Sequence, residues 1–70
     1  MKTEKIKIDT DYIKLQDLLK LSGEAYTGGM AKIAIQNGEV KVNSDVCLMR
    51  GKKLRAGDTA EYNGVMITIE

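Results

Sequence analysis

The side chains of this chain that could do chemistry are its cations. Arg50-Gly51-Lys52-Lys53-Leu54-Arg55 holds four of them, and no carboxylate, in six residues. Gly29, Lys32 and Gln36 fall at i, i+3 and i+7 of a segment with helical period, which makes a second polar stripe. Cations held in a fixed array by a rigid scaffold contact phosphates. Other chemistries lack their groups. The chain has no histidine and one cysteine, Cys47, so it offers no Cys/His metal set, no intrachain disulfide and no imidazole base. Its carboxylates sit mostly in turns and helix starts, where capping accounts for them, and 70 residues give little depth for a catalytic pocket. No catalysis, metal or cofactor is expected.

The net charge is only +1, but it is unevenly spread. Between Thr27 and Asp58 six cations face three carboxylates, while the rest of the chain has five against seven. One basic face fits a polyanion. The aromatics are three tyrosines, with no Phe or Trp, which makes no stacking platform for single-stranded nucleic acid. Recognition would therefore lean on phosphates and on shape. The first eight residues alternate Lys/Glu with Ile and do not form the apolar run of a signal peptide, and no stretch reaches transmembrane length. With one unpaired cysteine, this points to the cytoplasm.

The elements that must position the cations follow from period and punctuation. Glu4 to Asp9 alternates as a half-buried strand, Ile6 and Ile8 inward and Lys5 and Lys7 outward. From Ile13 onward, Leu15, Leu18 and Leu19 mark a short amphipathic helix that Ser22-Gly23 ends, with Leu21 closing its apolar contact. Thr27 is a good N-cap for a second helix, on which Ala31, Ala34 and Ile35 share one face. Gly28-Gly29 in its first turn either lets the first helix come close or leaves bare N–H groups for a phosphate. Asn37-Gly38 stops this helix and the period changes to two, with Val40 and Val42 around Lys41. Asn43-Ser44-Asp45 is a turn, and Val46-Cys47-Leu48 returns as a strand, Cys47 being a small apolar filler. Asn63-Gly64, between the alternating runs Thr59 to Tyr62 and Val65 to Ile69, is the strongest hairpin signal in the chain.

In order and spacing, these residues resemble the RNA-binding domain named after the fourth protein of the small ribosomal subunit, the S-four domain. The match runs through Leu15, Leu18-Leu19-Lys20, the cap at Thr27, Gly-Gly-Met-Ala-Lys to Lys32, Ile35, Gly38, Val40, Val42 and Asn43. It continues in Arg50-Gly-Lys-Lys-Leu and in Ala56-Gly57-Asp58. Similarity extends from about Ile13 to the end and is nearest to the short stand-alone bacterial members, the YbcJ/YaaA-like proteins. The resemblance implies an α+β fold over 1–70 as a single domain, two short packed helices against a small, strongly bent, mainly antiparallel sheet, the alpha-L RNA-binding motif. It implies a monomeric module that binds structured RNA, ribosomal or tRNA-like, on or near the ribosome, and catalyses nothing. The candidate contacts are Thr27, Gly28, Gly29, Lys32, Gln36, Lys41, Asn43, Arg50, Lys52, Lys53 and Arg55. Two departures stand out: Gly28 where many relatives have arginine, and Ser44 where they have glycine. The alternative is a protein-interaction adaptor on the same scaffold, binding no RNA.

Overall fold

The computed structural model describes residues 2–23 and 28–70. Their elements run β1 (Lys2–Ile6), β2 (Ile13–Lys14), α1 (Leu15–Leu21), α2 (Gly28–Gln36), β3 (Lys41–Val42), β4 (Asp45–Val46), β5 (Lys53–Leu54), β6 (Thr59–Tyr62) and β7 (Val65–Ile69). The expected cap at Thr27 lies outside the described residues.

The β6–β7 hairpin forms where the sequence signals it. Asn63 and Gly64 both take positive φ, 54° and 77°, as a two-residue turn between paired Tyr62 and Val65 requires. Around this hairpin the strand order is β1-β7-β6-β3-β4, with β2 and β5 forming a separate antiparallel pair. β1 joins β7 in parallel, Ile6 opposite Ile69, so the α+β sheet is mixed, with its other pairs antiparallel. Backbone pairing runs past β1: Glu70 N–H donates to the Ile6 carbonyl at 2.8 Å and Ile8 N–H to the Glu70 carbonyl at 3.2 Å.

One face of this sheet and the two helices share the core. Leu15, Leu18 and Leu19 of α1, Ala31, Ala34 and Ile35 of α2, and Val65, Ile67 and Ile69 of β7 are all buried. α1 has only seven residues, too short to persist in water, and it packs on α2. Small side chains at Ala31 and Ala34 suit that close approach. The helix ends are sharp. Glu39 N–H donates to the Ala34 carbonyl and Gly38 N–H to the Ile35 carbonyl, both at 3.1 Å, and Gly38 has φ +76°. That pair of bonds is a Schellman motif, in which the left-handed residue is best a glycine.

Four expectations change. The first strand is Lys2–Ile6 rather than Glu4–Asp9, because its partner β7 is matched to those residues. Ile13 and Lys14 belong to a strand and not to the helix, since Leu54 and Lys53 pair with them. Leu21 is 59% exposed and closes no apolar contact, as the core face of α1 ends with Leu19. The return strand after the Asn43-Ser44 turn is Asp45–Val46, and Leu48 is exposed.

Candidate nucleic-acid interface

The basic loop is built onto the first helix. α1 starts after Lys14, whose side chain makes no capping hydrogen bond. Instead Leu15 N–H donates to the Lys52 carbonyl at 2.9 Å and Gln16 N–H to the Arg50 carbonyl at 3.1 Å. Two of the helix's orphan donors are thus satisfied by the backbone of the cationic loop, which leaves the loop's side chains for other partners. Lys52 N–H closes the loop's own turn onto the Met49 carbonyl at 3.1 Å. Arg50, Lys52, Lys53 and Arg55 are all exposed, while Leu54 between them is fully buried. The buried leucine makes the charge run an ordered surface.

The pairing of β2 with β5 adds a cation that local sequence reading missed. Lys14 stands opposite Lys53 in the ladder, and the Lys53 ammonium lies 4.9 Å from the centroid of the Tyr12 ring. A cation over an aromatic face is attracted by the ring's quadrupole. No period or motif within residues 10–15 signals that Lys14 meets Lys53, because the pairing spans 39 positions of chain. Backbone pairing thus gathers four exposed cations, Lys14, Arg50, Lys52 and Lys53, around the start of α1.

The loop's far side is tied down by a polar clasp. Asp58 Oδ2 accepts from Arg55 N–H at 2.8 Å and its Oδ1 accepts from Asn43 Nδ2 at 3.2 Å. Asn43 Oδ1 accepts from Thr59 N–H at 3.0 Å, and Asn43 N–H donates to the Thr59 carbonyl at 2.9 Å. The Asp58 carboxyl is held below its ordinary value of 3.8, chiefly by the Arg55 N–H; burial, the next-largest influence, opposes this, and the Asn43 amide and the nearby Lys52 and Arg55 charges add to the lowering. Asn43 thus spends its side chain holding the β3–β4 turn against the Ala56-Gly57-Asp58 turn.

The other candidates divide. Gly29, Lys32 and Gln36 are exposed on α2, opposite its buried alanines, and Gly28 is its first residue. Lys41 alternates with buried Val42 and stands between Glu61 and Val46 in register, on the sheet face turned from the core. A Cβ at Gly38 would lie 3.8 Å from Val46 and 4.0 Å from Leu48, so the segment after β4 passes the C-terminal end of α2. From there it reaches Met49 and the loop that caps α1. The α2 stripe and the loop patch are joined by residues 46–50.

Nothing among the described residues groups His, Cys, Asp or Glu as a metal site, and no helix there is long and apolar enough to cross a membrane. What the arrangement offers is a set of exposed cations, amides and bare backbone on ordered supports.

Comparison with known proteins gives consistent matches. The sequence profile described as S4 domain matches residues 6–70. The chain is 44% identical over 59 residues to the Bacillus subtilis (strain 168) protein named "Probable ribosome maturation protein RlbA", covering 84% of this chain and 83% of that protein. It is 40% identical over 58 residues to YbcJ of Escherichia coli (strain K12), covering 83% of each. The solution structure of YbcJ from E. coli, described as revealing an alpha-L motif involved in RNA-binding, superposes with a TM-score of 0.69 at 36% identity. That match covers 99% of this chain and 86% of the other.

Proposed function

The chain belongs to the S4 domain family, and we propose that it is a non-catalytic module that binds structured RNA of the ribosome or of its assembly. RNA recognition is supported by the family and by the RNA-binding motif ascribed to YbcJ. The ribosomal target is favoured by the name of the B. subtilis relative. The observation that carries the reading is the patch of Lys14, Arg50, Lys52 and Lys53, fixed by backbone bonds from α1 to the loop. The α2 stripe of Gly29, Lys32 and Gln36 extends it. With cations on ordered supports and no aromatic platform, the module grips phosphates and shape. It works in the cytoplasm, as one domain and one copy.

A salt titration tests this reading. If about four cations meet phosphates, the logarithm of affinity for a ribosomal RNA fragment falls against the logarithm of salt with a slope of roughly −3 to −4. Lys52→Glu together with Lys53→Glu abolishes binding, because both are exposed and each reversal repels a phosphate. Unchanged affinity in filter binding would sink the proposal. Association that persists after nuclease treatment and ignores salt would instead favour the adaptor role.

A further inference from the structure

From the end of β4 to the basic loop the chain leaves three apolar side chains in solvent: Val46, Leu48 and Met49, at 56%, 61% and 65% exposure. With Asp45 and Lys52 they line an open groove of about 370 Å³. Three observations narrow what it holds. Lys52 belongs both to the groove wall and to the cationic loop, so an occupant has a phosphate-binding charge at its edge. Met49 and Leu48 offer an adaptable apolar wall, and thioether sulfur packs favourably on aromatic rings. Finally, Asp45 also lines the groove, its carboxylate has no hydrogen bond or ion pair with any described residue, and a carboxylate only accepts.

A flat ring carrying N–H donors and joined through a sugar to a phosphate is a nucleotide. Among the bases, guanine has two parallel N–H donors on its Watson–Crick edge, the arrangement a carboxylate accepts in pairs. Adenine, cytosine and uracil each place a lone-pair acceptor beside a donor there. A protein occupant fits less well: a stable interface covers about 800 Å² per partner, out of 4395 Å² for the chain, and here three apolar side chains are bordered by one cation and one carboxylate.

We propose that this groove takes an unpaired guanine turned out of the RNA strand, its ring against Leu48 and Met49, its Watson–Crick edge on Asp45 and an adjoining phosphate on Lys52. Single-stranded loops and bulges are where proteins reach base edges in RNA. The inference rests on the RNA-binding reading above and adds base selection to it.

The test is fluorescence anisotropy of the full chain with three RNA hairpins that differ at one position: fully paired, one bulged guanine, one bulged adenine. The bulged guanine should bind about tenfold more tightly than the paired hairpin, with bulged adenine between them. Leu48→Ser with Met49→Ser should erase the bulge advantage and leave the salt slope unchanged; both positions are exposed, and circular dichroism checks that the fold is kept. Asp45→Asn should remove the preference for guanine over adenine. Equal, salt-sensitive binding of all three hairpins overturns the groove's role and leaves RNA binding standing. Binding to none of them overturns both. A double serine variant that keeps the bulge preference but loses a protein partner in nuclease-treated lysate also overturns the inference, in favour of protein docking.

Discussion

Ser44 holds φ +75°, next to Asn43 at +50°, so both central residues of the β3–β4 turn are left-handed. Asparagine tolerates this conformation, whereas a serine Cβ crowds its following carbonyl at a cost of about 1–2 kcal/mol. Ser44→Gly should therefore raise stability by roughly 0.5–1 kcal/mol after the extra freedom of the unfolded glycine is subtracted. Thermal unfolding checks it, with a rise of several degrees expected for a chain this small. The sequence marked Ser44 as a departure from its relatives, but Asn-Ser-Asp suits several turn types, and only the pairing of Val42 with Asp45 selects this one. Asp58 gives a pH-dependent counterpart. Its carboxyl is held below 3.8, so the stability it adds is present above that pH and is lost as pH falls through its lower folded-state value. Asp58→Ala should lower stability at pH 7 by up to about 1 kcal/mol, and the gap to wild type should narrow by pH 2. Melting curves at both pH values decide it. A gap that stays constant would assign the effect to lost packing.

Helix α1 shows how an element can be legible in kind and hidden in its support. Its leucine spacing announces an amphipathic helix, and Leu15, Leu18 and Leu19 are buried as that spacing requires. Its start was not legible, because the partners of its first N–H groups are carbonyls more than thirty residues away. The same distance hides β2 and β5, two-residue strands with no period of their own. Asn63-Gly64 was legible for the opposite reason, since a two-residue hairpin is decided by its own turn. The Lys14–Lys53 pair sets affinity against stability within one ladder. Like charges directly opposite destabilise a sheet by a few tenths to about 1 kcal/mol. Lys14→Glu should therefore make the chain slightly more stable while weakening RNA binding. Paired melting and anisotropy measurements should move in opposite directions; a variant worse in both would remove Lys14 from the interface.

Across the whole molecule, β7 is held between β1 and β6, and no local pattern announces that the first strand pairs with the last. Alternation says which side chains point inward but not which strand lies alongside. Removing residues 1–6 should leave β7 as an uncovered edge of Val, Met, Ile and Thr, the kind of edge that pairs with other chains. Size-exclusion chromatography should then show aggregation, while a monomeric, fully folded product would make β1 dispensable. None of the patch cations lies in the removed segment, so any loss of RNA binding would follow the loss of fold. The hydrogen bonds from Leu15 and Gln16 to the loop turn two backbone amides into gauges of surface events. Arg50 and Lys52 offer carbonyls inward and ammonium or guanidinium groups outward, so whatever steadies those cations also steadies the acceptors of these two amides. Deuterium uptake at Leu15 and Gln16 thereby reports loop occupancy without a fluorophore on the RNA or the protein.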